Sequence, residues 1–325
     1  MRRKRKYSKK KKIFILSSFL VVAFFMSVGF SLLSKTLEIE GSANLYASKG
    51  NLWYKIIHDY SSTNGGSFYE STYEPGKYVY MGNGNNNYIQ IGTYLMRIVS
   101  VEPDHTIKVA TIPNDPSNDT VSLFDSANNR DSSSTYCQTP ENGCNAWAIQ
   151  SVLNNGTVKN DSSLLAGMKQ EYEALPNELK NIIAEHDFNI GFVTSGATFS
   201  QIISSEAEKT WRGHFGLLTL SDYLYPSNIA SSTTIPTTAS NNYLLNAVSG
   251  RIAWTLTGST EDTSKVWAIN YDGTQITRNA SNRSETVEEN TYNYIVIPAL
   301  FLKDSLMYSS GDGSLSNPFT ITTEQ

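Results

Sequence analysis

An α+β fold built on antiparallel strands is what this sequence predicts, and three observations predict it. Residues 77–111, KYVYMGNGNNNYIQIGTYLMRIVSVEPDHTIKVAT, alternate side-chain character between turns that each have their own chemistry. Helical spacing is concentrated in the middle of the chain, from Ser162 to Phe188. Strand-like runs then return and continue to the end. Strands, then helices, then strands again argue for α+β and against a parallel sheet.

In order along the chain, residues 1–12 carry nine Lys/Arg and no acid, followed by 21 residues, 13–33, without a charge: IFILSSFLVVAFFMSVGFSLL. A helix of that length spans a hydrocarbon core of roughly 30 Å. The basic flank sets the N-terminus in the cytoplasm and the body outside. A signal peptide has a shorter apolar core of ~7–15 residues and an A-x-A-like cleavage site. Only loose pairs of small residues occur here, so the pattern favours an uncleaved single-pass anchor over secretion after cleavage. The chain after the basic cluster is acidic, which excludes a general nucleic-acid binder.

Residues 34–60 form a membrane-proximal segment: a broken strand in KTLEIEGSANLY and a short helix in NLWYKIIHDY. The body, 61–325, opens on Ser/Thr/Gly-rich turns. Gly92-Thr93 then suits a type II′ hairpin, and Glu102-Pro103-Asp104-His105 places proline where its fixed φ is already correct. GNGNNNY, 82–88, reads as a hairpin loop; no helix follows to offer an N-terminus to phosphate. Cys137 and Cys144 enclose CQTPENGC, and in an exported chain a disulfide is the default. A loop so short would contribute roughly 2–3 kcal/mol through chain entropy.

Helices are expected at 146–153, at 162–175 with Leu164, Leu165, Met168, Tyr172 and Leu175 on one face, and over NELKNIIAEHDF after Pro176. FNIGFVTSG returns to strand. GLLTL is a strand followed by a one-turn helix capped by Ser221 and stopped by Pro226. Further strands are expected at 252–257, 266–270, 294–302 and 318–322.

No catalytic pattern emerges. His58, His105, His186 and His214 are scattered without ligand spacing, Asp312 is a single carboxylate, and no Gly-x-Ser-x-Gly occurs. The sequence therefore implies no cofactor, no metal and no enzyme. The tryptophans read mainly as core. Trp254 and Trp267, beside the polar Asn270 and Asp272, are the residues that would serve as a ligand platform if exposed.

The segments KYVYMGNGNNNYIQI, LMRIVSVEPDHTIKV, AEHDFNIGF, GLLTLSDYLYP, WTLT with VWAINYDG, and YIVIPALFLKDSLMYSSGDGSLSNPFTI together resemble a domain repeated in surface proteins of Gram-positive bacteria, with no activity assigned to it. That domain is similar to C-type-lectin-like and sulfatase-modifying-factor-like folds. The resemblance spans most of the chain from about Tyr54 and implies a surface binding or adhesion module with a glycan, cell-wall or protein ligand. Departures are visible. Met96 stands where such domains usually carry an aromatic residue. The late cysteine pair of the oxidising relatives is missing, and so are the Glu-Pro-Asn and Trp-Asn-Asp triplets of calcium-dependent lectins. The segment SKTLEIEGSA also resembles camelysin-like matrix proteins, which implies the alternative of a structural protein assembling through its N-terminal extracellular segment.

Overall fold

Residues 50–82, 84–111, 147, 162–227, 242–260, 265–271, 276–282 and 294–322 are described by the computed structural model. The elements below all belong to the unit Asn51–Gln325. The basic cluster, the expected anchor at 13–33, the strand expected before residue 46, both cysteines and Asp272 lie outside the described residues, as does the helix expected at 146–153 except for Trp147. Among the described residues, no helix is long and apolar enough to cross a membrane.

The first element, α1 (Leu52–Asp59), does not stand apart as a membrane-proximal piece. Leu52 and Ile56, one turn apart, are fully buried, and Leu52 N donates to Leu306 O at 2.8 Å. The apolar stripe of the helix thus packs into the body.

Next come β1 (Phe68–Glu70), β2 (Tyr78–Tyr80), β3 (Tyr88–Ile91), β4 (Tyr94–Val101) and β5 (Ile107–Ala110). Ile91 pairs with Tyr94 across a two-residue turn in which Gly92 takes φ 57° and Thr93 stays at negative φ, the II′ pattern. At the next turn His105 N donates to Glu102 O at 2.9 Å, and His105 itself sits at φ 69°. Histidine is among the few side chains enriched in that left-handed region. Here its ring stacks on Trp53 at 3.8 Å, nearly parallel.

One expectation fails in the meander. GNGNNN does not join a hairpin, because β2 and β3 both pair with the same edge of β4: Val79 opposite Ser100, and Tyr88 opposite Arg97. Asn87 bridges the gap between them. It exchanges bonds with Ile98 at 2.7 Å (Ile98 N to Asn87 O, and Asn87 Nδ2 to Ile98 O), and its Oδ1 accepts from Arg97 Nε at 2.8 Å. The Arg97 guanidinium also donates to Gly84 O and lies 3.8 Å from the Tyr88 ring centre. That network satisfies the buried polar groups left between two strand ends.

α2 (Ser163–Ala174) starts at Ser162, whose hydroxyl accepts from Leu165 N at 3.2 Å, and buries Leu165. The helix expected after Pro176 is only one turn long, α3 (Asn177–Lys180). The rest is strand: β6 (Ile183–Ala184) and β7 (His186–Asn189). Ile182 and Ile183 are both buried, and β-branched residues fit a pleated, covered surface better than a short helix.

After β8 (Phe192–Val193) comes α4 (Phe199–Ala207), which the sequence reading missed although its signal was present. Thr198 and Gln201 form a capping box: Thr198 N donates to Gln201 Oε1 at 2.8 Å, and Gln201 N donates to Thr198 Oγ1 at 3.4 Å. T198A is expected to destabilise the protein by about 1 kcal/mol, read as a lower urea midpoint at unchanged slope. An unshifted midpoint would show that the cap contributes nothing.

Then follow β9 (Thr210–Gly213), β10 (Phe215–Leu217), α5 (Leu220–Leu224) and α6 (Tyr243–Ala247), the last capped by Asn242. The cap of α5 is Thr219 and not Ser221. Thr219 Oγ1 accepts from Asp222 N at 3.3 Å, and Thr219 N donates to Asp222 Oδ2 at 2.8 Å.

The chain closes with β11 (Ile252–Ser259), β12 (Lys265–Tyr271), β13 (Ile276–Asn282), β14 (Tyr294–Ile295), β15 (Pro298–Leu302), β16 (Met307–Ser310) and β17 (Thr320–Thr322). Among the described residues, eight strands form one antiparallel sheet in the order β1-β2-β4-β5-β15-β10, with β3 also on β4 and β6 also on β15. Five form a second sheet, β13-β12-β11-β14 with β8 beside β11. Mixed helices and antiparallel sheets make the protein α+β. Six successive residues of β4 and all of β5 are buried, so the large sheet is covered on both faces.

Candidate functional site

The large sheet carries charge in its interior. Lys108 in β5 is 6% exposed, yet β-strand interiors rarely bury lysine without a partner. Its partner is Asp222 in the first turn of α5, 3% exposed, whose Oδ2 accepts from Lys108 Nζ. The capping box fixes that carboxylate: by accepting from Thr219 N, Asp222 is held at the start of the helix, facing the strand.

A second ammonium lies nearby. Lys77, in the turn before β2, donates to Glu74 Oε1 at 3.1 Å and has Glu102 Oε2 at 3.5 Å. Glu74 also accepts from the Tyr225 hydroxyl at 2.8 Å, and that hydroxyl accepts from Ser71 Oγ at 2.7 Å. Glu102 accepts from Ser100 Oγ.

The charged forms of Lys77 and Asp222 are favoured by their neighbours. Burial works against the Lys77 ammonium, but Glu102, Glu74 and Asp222 outweigh it and raise its proton affinity above the usual lysine value. Burial likewise opposes ionisation of Asp222, but Lys108 and Lys77 hold it below the usual carboxylate range.

Glu206 of α4 behaves differently. It is 1% exposed and accepts from Thr257 Oγ1 at 2.6 Å, from Ser221 N at 3.2 Å and from the Ser221 hydroxyl. Burial is the dominant influence and, with Asp222 nearby, pushes its carboxyl up to about 7 against the pull of those donors.

Lys77, Lys108, Glu74, Glu102, Asp222 and Phe301 line part of one cavity of about 290 Å³, with His186 on its wall. His186 stacks on Phe301 at 3.8 Å, and its Nε2 lies 3.2 Å from Asp104 Oδ2. Convergent polar groups in a concave, partly apolar site are the usual form of a small-ligand site. Among the described residues, no group of three His, Cys, Asp or Glu side chains could hold a metal ion.

The platform read from sequence is elsewhere and has a different role. Trp254 in β11 is 1% exposed and Trp267 in β12 is 7% exposed, with its indole N–H donating to Val193 O at 3.0 Å. Neither ring presents a face to a ligand, because both strands run with covered side chains. Asn270 is half-buried in β12, opposite Ile252 and Thr277. The expectation of a ligand site on Trp254 and Trp267 is therefore corrected to core packing. Comparison with protein-family profiles, curated proteins and solved structures finds no match to this chain.

Proposed function

We propose that the chain is a membrane-anchored cell-surface protein whose extracellular body is a non-catalytic recognition module of C-type-lectin-like architecture. The observation that carries the binding part is the cavity between β5 and α5, walled by buried charges, among them Lys108 paired with the Asp222 carboxylate that Thr219 N anchors. Preorganised polar groups in a small cavity suit binding. Glu102 and Glu74 raise the proton affinity of Lys77 against the effect of burial, which leaves it no neutral amine to act as a nucleophile. The anchoring part rests on the uncharged run at 13–33 behind nine basic residues. The lectin-like part rests on the antiparallel strands and short helices together with the resemblance of the motifs.

Protease added to intact cells should digest the body, while the protein sediments with membranes until detergent is added. Resistance to protease on intact cells, with digestion only after lysis, would overturn the surface assignment. Release into the medium with a new N-terminus would replace the anchor by a cleaved signal.

A further inference from the structure

The ligand class of this cavity follows from its unused hydrogen-bonding capacity, an inference that rests on the reading of the body as a recognition module. An ammonium has three N–H donors. Lys108 Nζ meets the Asp222 carboxylate and lies 5.6 Å from the Phe301 ring centre, and no other acceptor among the described residues takes its remaining donors. Glu102 Oε2 is engaged only loosely, 3.5 Å from Lys77 Nζ. Buried donors and acceptors left unmet are costly, so an occupant of this cavity has to satisfy both signs.

Three alternatives fit less well. The carboxylates of Glu74, Glu102 and Asp222 outnumber the ammoniums of Lys77 and Lys108, which disfavours a plain anion. A plain amine would leave the Lys108 donors without an acceptor. A sugar ring needs an open aromatic face, but Phe301 is covered by the stacked His186 ring at 3.8 Å and by Phe188 edge-on at 4.9 Å. The volume of about 290 Å³ lies at the bottom of the range for small-molecule sites. We infer that the cavity binds a small zwitterion of the amino-acid class, its carboxylate toward Lys108 and its ammonium toward Glu102.

Isothermal titration of the full chain in detergent micelles should show saturable binding of L-alanine. N-acetyl-L-alanine lacks the ammonium, L-alaninamide lacks the carboxylate, and glucose carries neither charge. Each should bind weaker by about tenfold or more. E102Q leaves Lys77 its Glu74 partner and should weaken alanine binding by about tenfold with cooperative unfolding intact. K108M/D222N removes both members of the buried pair and should lose alanine binding. Should that double variant fail to fold, E102Q and the four probes decide the matter.

No heat with millimolar alanine, equal affinity for glucose, or unchanged affinity in E102Q overturns the inference. Tighter binding of glucose or alaninamide discards the zwitterion and keeps the recognition module. Alanine binding by a body that protease cannot reach on intact cells keeps the zwitterion and overturns the surface assignment.

Discussion

Replacing Lys108 alone by methionine is expected to cost about 3–5 kcal/mol of stability, whereas K108M/D222N recovers most of that loss. The single change leaves the Asp222 carboxylate, 3% exposed, without the ammonium that pairs with it. Thr219 N still donates to Asp222, and Lys77 still acts at longer range, but neither supplies the lost ion pair. The double change removes the uncompensated charge, and the asparagine oxygen can still accept from Thr219 N. Urea unfolding of the three proteins measures both steps. A single variant as stable as the parent would mean that the pair is solvated. A double variant no better than the single one would mean that the charge on Asp222 is not what makes the single change costly.

The second large effect depends on pH and has its origin in Glu206. In the folded protein this carboxyl keeps its proton up to about 7, while its ordinary value is 4.5. Between these values the native state binds more protons than the unfolded chain, so stability falls as pH rises. The loss is complete above about 7 and amounts to about 3 kcal/mol from this group. Asp222 has the opposite sign: its depressed proton affinity gives stability that is present above 3.8 and lost as pH falls through its lower folded value. The two windows do not overlap. Across pH 5 to 7 the Glu206 contribution lowers the melting temperature of the parent relative to E206Q, whose amide cannot ionise, while in both proteins burial of His214, which lowers its proton affinity, acts in the opposite direction. A slope of the same size in E206Q would assign the titration to another group.

What could be read from the sequence was set by how local its causes are. The II′ turn at Gly92 and the proline turn at Pro103 depend on residues two or three apart, so the chain states them directly. The helix at 199–207 is equally local, but its capping box stands among Ser and Thr residues that resemble a loop. The sequence predicts helix at Ile183 where the structure has strand, because its partner, Leu302, lies far along the chain. The candidate site is less legible still. Lys108 and Asp222 are 114 positions apart, and nothing near either one names the other. A lysine within an alternating strand gives a weak hint, since IKVA is polar at one position that turns out to be buried. For Trp254 and Trp267 the sequence could not separate surface from core, because aromatic residues serve in both.

The strand order has a bearing on how the chain is made. β15 lies inside the large sheet, between β5 on one edge and β10 with β6 on the other, yet it is formed by residues near the C-terminus. Thr111, next to the end of β5, bonds to Pro298 at the start of β15, 187 positions later. A ribosome adding roughly 5–20 residues per second needs on the order of ten seconds or more to supply that partner. Throughout that interval the edge of β5 has unpaired N–H and C=O groups, a template for pairing with other chains. The nascent polypeptide therefore cannot lock its main sheet early. It has to be kept from pairing with other chains until residues 298–302 have emerged.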